Sequence, residues 1–439
     1  MPHGNAVTPL DQRVALWELA QHGQTDGQIA QQLGLGHGVV RKWRRRAQHQ
    51  GRVGLGSQLG RPARGVLSQW APELGESVRQ MRRAHPGWGP LTLRSELARW
   101  SPPPPRLPSR ARLAAFLKVE GFTRRYERHT HLPQPVHAPA SAAHAEWQMD
   151  AQGVQVVAGV GRVVVINIGD PHTRLLTDSL GCPHTTIANT ADYQLALRRA
   201  FLRFGRPDGL SLDHDRCFYD TPSASPYPLR LHLWLLALGV SVRFIGVRRP
   251  TQHGFIENEH QIVTHQALVG QTFAPPEALQ PALDQRRAFL NEIYPNRALG
   301  GQAPLQAQPS ARYSGHAYAP EQEANLLDPQ PVYAYLAPQH WFRRTTARGQ
   351  FELGSYRYGL GAAWRHQTVQ LTLDPHALEW VCQSADGQQM RRVPARGLTP
   401  ADWMGELQLD QLPSYQLAFP WSLPACRLAL LCETQAGTT

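Results

Sequence analysis

Arg248 to His265, RRPTQHGFIENEHQIVTH, is the stretch whose reading decides the fold. Pro250 and Gly254 punctuate it, and beyond Gly254 the apolar residues Ile256, Ile262 and Val263 suit a helical face better than strict alternation. A turn followed by a helix is predicted. Glu257 falls in the first turns of that helix, beside His253, Asn258, Glu259 and His260. Taken alone, the stretch reads as an ordinary solvated helix start. Two upstream segments change that. Asp150 closes the run HAEWQMD and opens an apolar segment, and Asp213 closes the run GLSLD. Two acids at strand ends and a third on a following helix are what a fold needs to hold divalent metal ions.

The 439 residues suffice for two to four domains. The net charge of +12 is concentrated at the front: residues 1–135 hold 21 Lys+Arg against 8 Asp+Glu, and the remainder 24 against 25. A basic front on a neutral remainder points to a polyanionic partner, most simply nucleic acid. Only Lys42 and Lys118 are lysines, so arginine richness by itself reads as codon bias. Cys182, Cys217, Cys382, Cys426 and Cys432 form no CxxC pair, which argues against zinc fingers and a disulfide framework and fits a reduced, intracellular protein. No signal pattern opens the chain and no window holds eighteen uninterrupted apolar residues, so a soluble protein with no membrane association is expected.

Residues 1–50 are predicted to form a helix-turn-helix domain. Thr8-Pro9 opens the first helix, Thr25 caps TDGQIAQQLGL with Gln28 in capping-box position, and Gly34 to Gly38 turns into VVRKWRRRAQ. Arg41, Lys42, Arg44, Arg45 and Arg46 on that last helix would contact phosphates or base edges, the alternative being a small bundle with a solvated basic face. Residues 51–70 read as a linker. Residues 71–125 read as a second helical DNA-binding unit: a helix from Glu73 to Ala84, the sharp turn Pro86-Gly87-Trp88-Gly89-Pro90, a helix from Leu91 to Trp100, and a helix capped by Ser109 with Arg110 and Arg112 at its start. Residues 126–145 read as a linker; a metal site from His129, His131, His137 and His144 has nothing to fix its geometry.

From Glu146 the texture changes. The β-branched runs VQVVAG and RVVVINIG flank Gly159-Val160-Gly161 as a hairpin, and Leu175 to Leu180 is a third strand. Thr190 to Phe204 is a helix, Gly209 to Leu212 a strand, Leu229 to Leu238 a helix and Val240 to Ile245 a strand. That order suits an α/β layer with a mixed sheet over residues 146–310. Phe273 to Tyr294 is largely helical. Short alternating runs over 330–395, including VYAYL, HWFRRTT, GQFELGSYRYGL, TVQLTLD and LEWVCQS, predict a small β-barrel, and 396–439 is a tail with no chemistry.

Several motifs in this order resemble the integrase-like transposases of bacterial insertion sequences, which share a catalytic core with retroviral integrases. EWQMDAQG is similar to the segment around that family's first aspartate. VVVINIGDPHTRLL is similar to its second-strand segment, with Asp170, Thr173 and Arg174 in the D-x-x-[ST]-R ending. LDHDRCF resembles DNGxxF, with Phe218 as the aromatic, and PTQHGFIENEH resembles P-x-x-NG-x-x-E-x-x-H. YPNRALGGQAP resembles the tail of the core, while HPGWGPLTLRSEL and PSRARLAAFLKVEGF resemble the second DNA-binding unit. The segment 330–390 is similar in pattern to the small barrel of phage-Mu-like transposases.

The resemblance implies a ribonuclease-H-like core in which Asp150, Asp213 and Glu257 are catalytic and hold Mg²⁺ or Mn²⁺, two ions in all. It also implies double-stranded DNA as partner (transposon ends and target), a homo-oligomer, and a place in the cytoplasm on the bacterial nucleoid. The chain departs from the pattern in having His214 and Asp215 where the family has asparagine and glycine, and His253-Gly254 for NG. It also has 43 residues between Asp213 and Glu257, with Asp220 to Tyr227, DTPSASPY, as the lengthening insertion. Asp215 reads as either an accidental neighbour or a substitute ligand, Glu259 is a weaker rival for Glu257, and Asp170 reads better as a strand-end acid pairing with Arg174. All three acids being present favours an active DNA transposase. The alternatives are a catalytically decayed DNA-binding relative and a nuclease of the same fold without strand transfer.

Overall fold

The strand Gly161–Asp170 is buried on both faces, and this sets the layering. Val164, Ile166 and Ile168 enter one core, while Val163 and Val165 enter another, the two-residue alternation of a strand covered from both sides. The computed structural model describes residues 8–56, 66–123, 141–183, 185–213, 217–220, 225–244 and 254–413. His129, His131, His137, His214, Asp215, Arg248, Pro250, His253, Cys426 and Cys432 lie outside the described residues. The chain divides into two compact units, residues 1–74 and 75–439.

In the first unit three helices, α1 (Leu10–Gln21), α2 (Asp26–Leu33) and α3 (His37–Gln50), close on Leu16, Ile29, Val40 and Trp43. Thr25 and Gln28 form the expected capping box. The first helix starts one residue later than predicted, with Pro9 in the cap position. The front of the expected 51–70 linker is folded instead: Gly51–Leu55 makes a 3-10 turn, Leu55 is buried, and its carbonyl accepts from Arg13 Nη1 at 2.9 Å.

The second unit takes in the helices α4 (Pro72–Ala84, from Gly75 onward), α5 (Pro90–Ala98) and α6 (Arg110–Val119). It continues through β1 (Trp147–Val157), β2 (the Gly161–Asp170 strand), β3 (Leu175–Pro183), α7 (Thr190–Phe204), β4 (Gly209–Leu212), α8 (Arg230–Ala237), β5 (Ser241–Phe244), α9 (Gly254–Val263) and α10 (Leu279–Glu292). The sheet order is β3-β2-β1-β4-β5, with β1, β2 and β3 antiparallel and β1, β4 and β5 parallel, the mixed sheet expected. Gly159 is forced at the hairpin tip: its φ is +82°, and a Cβ there would sit 2.0 Å from the Phe273 carbonyl oxygen.

Helix α10 closes the outer edge of β3. Asn291 bonds both the N–H and the carbonyl of Leu176 (2.9 and 2.8 Å), and Gln280 does the same for Gly181 N–H and Ser179 carbonyl (both 3.0 Å). These amides stand in for a neighbouring strand, so the edge offers no free pairing there. Across β3, Arg199 and Arg203 of α7 grip the fully buried Asp178 and reach on to Asp284. Burial alone would raise the Asp178 carboxyl, but the two guanidiniums hold it below the usual carboxylate range.

Short helices α11 (Pro304–Ala307), α12 (Glu323–Leu326) and α13 (Pro329–Leu336) lead to the C-terminal sheets. The run VYAYL, read as a strand, is the body of α13: Asp328 accepts from the Gln330 N–H as the cap, and Pro329 supplies the first helical φ. A closed β-barrel is absent among the described residues. Instead β6 (Trp341–Arg344), β9 (Thr368–Asp374), β10 (Glu379–Ser384) and β11 (Met390–Pro394) form one antiparallel sheet, ordered β11-β10-β9-β6. The hairpin of β7 (Gln350–Leu353) and β8 (Tyr356–Gly359) stands apart from it. Four- to seven-residue strands reproduce the alternation of a barrel, which is why sequence pattern overstated the closure. This part shares a core with the central sheet through Trp341, Trp380 and Tyr227, and α14 (Pro400–Met404) packs Trp403 into it.

Candidate active site

Strand β1 and helix α9 run side by side in matched register. Trp147 and Met149 point into the main core, so Gln148, Asp150 and Gln152 take the opposite face. Gln148 Oε1 accepts from the Ile256 N–H at 3.3 Å, Asp150 Oδ2 meets His260 Nε2 at 3.1 Å, and Gln152 Oε1 accepts from Thr264 Oγ1 at 3.0 Å. Two residues of strand advance about 6.7 Å and four of helix about 6 Å, so every second strand residue meets every fourth helix residue. Beyond α9 the chain loosens into a π-helical turn, Thr264–Leu268, with the Val269 N–H bonded to the Thr264 carbonyl.

Asp150 was expected at a strand end; it is the fourth residue of an eleven-residue strand. Toward β4, however, β1 pairs only through Trp147 and Gln148, with Leu210 and Ser211. The same register carried two residues further sets Asp150 opposite Asp213, which directly follows β4. Asp213 leaves β4 at this point, while Asp150 stays within β1, paired with Asn167 of β2. Glu257 lies in the first turn of α9, exposed, three residues before His260 and about 60° around the helix from it.

Sequence reading did not assign His260 a role. Its Nε2 is on Asp150 and its Nδ1 lies 2.7 Å from Nδ2 of the fully buried Asn167 on β2, directly across from Asp150 in the sheet. Asn167 donates through that amide nitrogen, so Nδ1 accepts and Nε2–H donates to the carboxylate. Its four-residue spacing from Ile256 and Thr264 was the available signal. Glu259 is buried on the far side of the same helix, and burial pushes its carboxyl up to about 7, so it does not share the exposed face of Glu257.

The β2–β3 turn fastens the start of α9. Asp170 was expected to pair with Arg174; instead its carboxylate caps the turn, accepting N–H groups of His144, His172 and Thr173. Arg174, with φ +63°, lays its guanidinium over the Phe255 ring at 5.7 Å, and Phe255 fills the space left by Gly169, where a Cβ would meet the ring at 2.7 Å. His144, grouped by sequence with the linker histidines, is a buried structural residue. It accepts from Trp147 Nε1 (3.1 Å) and pairs with the Ala311 carbonyl (3.0 Å).

The chemistry of the three acids suits a hard divalent cation, but their placement is less complete. Among the described residues no three His, Cys, Asp or Glu side chains converge closely enough to hold a metal ion. Asp150 lies within β1, Asp213 directly after β4 and Glu257 in the first turn of α9.

In the first unit, Arg41, Lys42 and Arg45 are the exposed cations of α3, and with Arg46 and His49 they line one open groove. Arg44 is committed within the fold, bonding Asp26 Oδ1 at 2.8 Å and the Gln24 carbonyl at 3.2 Å. Arg46 and the buried Arg13 lie against Trp43, at 5.2 and 4.1 Å from the ring centroid. Arg110 and Arg112 are exposed in the first turn of α6, where Ser109 Oγ accepts from the Arg112 N–H as predicted. No helix among the described residues is long and apolar enough to cross a membrane.

No family model matches this chain, and no curated protein matches it. Among solved structures it is similar to a chain of the simian T-cell lymphotropic virus intasome in complex with PP2A regulatory subunit B56 gamma. Identity is 11% and the TM-score 0.33, over 74% of this chain and 96% of that one. Likeness at that level is distant, and the site is read from its own residues.

Proposed function

We propose that this protein is a DNA transposase with a ribonuclease-H-like core, in which Asp150, Asp213 and Glu257 are the catalytic acids. The observation that supports this reading is the parallel pairing of β1 with β4 at Gln148 and Ser211, two residues before Asp150 and Asp213, with α9 laid along β1 through His260. Those three acids would hold Mg²⁺ or Mn²⁺, and a pair of such ions supplies activation of an attacking oxygen and stabilisation of a leaving one. The chain's own residues position: His260 orients the Asp150 carboxylate, and the Arg174–Phe255 contact holds the start of the helix that bears Glu257. The reaction has two displacements. Water attacks a phosphodiester at the element end, releasing a 3′-hydroxyl; that hydroxyl attacks target DNA, forming one phosphodiester and breaking another. Arg41, Lys42, Arg45, Arg110 and Arg112 would contact double-stranded DNA at the element ends, and synapsis of two ends calls for a homo-oligomer acting on the nucleoid.

The open arrangement of the acids favours one other reading, a DNA-binding relative that has lost catalysis. The test incubates purified protein with a duplex carrying the element's own end in Mg²⁺ or Mn²⁺, with Asp150→Asn in parallel. End nicking and joined products, both lost in the variant while duplex binding persists, are the expected result. Tight binding without metal-dependent cutting in either protein would establish the relative, and cutting without joined products a nuclease.

A further inference from the structure

A groove runs beside the helix face that bears Glu257. The exposed residues of α9 are Gly254, Glu257, Asn258 and Gln261, the spacing of one helical stripe. Gly254 and Asn258 of that stripe line the groove together with Phe255, and Arg174 of the β2–β3 turn joins them. The turn after α10 contributes Asn296 and Arg297. Arg174 is half-buried and Arg297 exposed. Asn296 uses its Oδ1 to accept the Ala298 N–H at 2.9 Å, which leaves its Nδ2 to donate. The one carboxylate among the lining residues, Glu259, is 5% exposed, so the two arginines set the charge that the groove shows to solvent.

Other arginines of this unit are matched to acids: Arg198 to Glu323, Arg199 to Asp178 and Arg286 to Glu96. Arg174 and Arg297 are not. Neither guanidinium makes a hydrogen bond or an ion pair among the described residues, and Arg174 only rests over the Phe255 ring. Lying over a ring engages the face of a guanidinium and not its N–H edge, the fork that fits phosphate oxygens two at a time. A half-buried guanidinium without an acceptor has lost water and gained nothing in its place. The groove is open rather than enclosed, so it suits a strand passing through better than a small anion held inside. We propose that this groove is a binding site for a DNA strand, with Arg174 and Arg297 on backbone phosphates within a few nucleotides of the bond that is cut. The proposal rests on the transposase reading for the identity of the polyanion and for the place of Glu257 at the cut. The groove and its two unmatched guanidiniums do not depend on that reading.

The test binds the full chain to the end duplex without metal, across a salt titration, for the wild-type protein, Arg297→Ala, Arg174→Gln and the double variant. In a second series an uncharged methylphosphonate replaces one phosphate of the duplex at a time. The salt dependence should be shallower by about one released counterion in each single variant and by about two in the double variant. A methylphosphonate near the end that weakens the wild-type protein should cost the Arg297→Ala protein nothing further, the coupling of a double-mutant cycle. Lost packing alone would not remove the effect of one particular phosphate. Variants with the wild-type salt slope and the wild-type methylphosphonate pattern would overturn the proposal, as would a wild-type protein that binds no duplex. Cutting in Mg²⁺ is scored separately. No coupling in a protein that still nicks the end removes the groove and leaves the transposase reading; coupling in a protein that cuts nothing does the reverse. Arg297 is exposed on a 3-10 turn, so Arg297→Ala decides the matter if Arg174→Gln does not fold.

Discussion

At the residue scale, two histidines differ in what their surroundings ask of them. His260 is held at both ring nitrogens, by Asn167 and by Asp150, so it acts as a spacer that fixes one carboxylate. Partners behind a ligand commonly matter about 10- to 100-fold in metal affinity or activity. His260→Ala should therefore weaken Mn²⁺ binding and cleavage by that order, and His260→Asn, which keeps a donor, should lose less. Equal activity in all three proteins, measured across a Mn²⁺ titration, would remove His260 from the site. His232 is the opposite case. It is buried on α8 among Tyr219, Phe244 and Tyr335, neither ring nitrogen has a hydrogen-bond partner among the described residues, and burial lowers its pKa to about 3. An unfolded histidine titrates near 6.5, so between these values the unfolded chain binds a proton that the folded chain refuses. This contribution to stability is complete above about pH 6.5 and is lost as pH falls, by roughly 3 kcal/mol at pH 4. His232→Phe should flatten that acid limb in denaturant titrations at pH 7 and pH 4; an unchanged limb would place the acid sensitivity elsewhere. For His260 the spacing from Ile256 and Thr264 marks only the helix face, because its partner Asn167 lies about 90 residues away in the chain; for His232 the pocket of rings has no local pattern to announce it.

At the element scale, legibility followed the strength of local signals. Helix α7 has the bounds read from its periodicity, and its cap at Asn189 with Asp192 is a complete capping box. Strand β1 was read too short, although Trp147, Met149 and Ala151 alternate with Gln148, Asp150 and Gln152; that polar face meets α9, a tertiary contact that periodicity cannot see. Helix α13 was misread because its β-branched and aromatic residues mimic a strand while its start signal, Asp328-Pro329, was passed over. Among the three acids, the sequence order placed each on or beside the expected element, but the distance between them belongs to packing. Helix α3 carries the same lesson for DNA binding, since five consecutive-looking cations are not equivalent once folded. Arg45 is exposed, whereas Arg44 is tied to Asp26 across the turn. Arg45→Ala should weaken duplex binding and lower the salt dependence by about one released counterion, with the melting temperature unchanged. Arg44→Ala should lower the melting temperature. Matching salt slopes for Arg45→Ala and the wild-type protein would take this face of α3 off the DNA.

At the scale of the second unit, the turn between α4 and α5 has a larger part than its sequence announced. HPGWGP reads as a sharp turn, and it is one, but it is also the plug that seats the helices following residue 75 on the central layer. Trp88 Nε1 donates to the Gln266 carbonyl at 3.1 Å, at the π-helical turn that ends α9. His85 stacks on one side of that indole at 3.8 Å, and the Arg286 guanidinium of α10 lies 4.7 Å from its centroid. Arg286 in turn bonds Glu96 of α5 at 3.2 Å, and Gln271 donates to the Ala84 carbonyl at 2.9 Å. The closest approach is at Gly87, where a Cβ would fall 1.6 Å from the His265 carbonyl oxygen, a backbone atom that cannot swing aside. The π turn leaves carbonyls of Gln266 and His265 facing this loop, so α9 is held at its start by Phe255 and Arg174 and just past its end by Trp88. Gly87→Ala should therefore unseat the plug while leaving the central sheet intact: limited proteolysis should cut between 84 and 123 sooner, and far-ultraviolet dichroism should barely change. Trp88→Ala removes the same contact by loss of packing rather than by collision, and a buried tryptophan truncated to alanine typically costs about 3–5 kcal/mol. Two variants that act by opposite physical means should open the same segment. If neither exposes it to protease, the seat is made by Arg286 and Gln271 alone, and the glycine and tryptophan of this turn serve only its own bend.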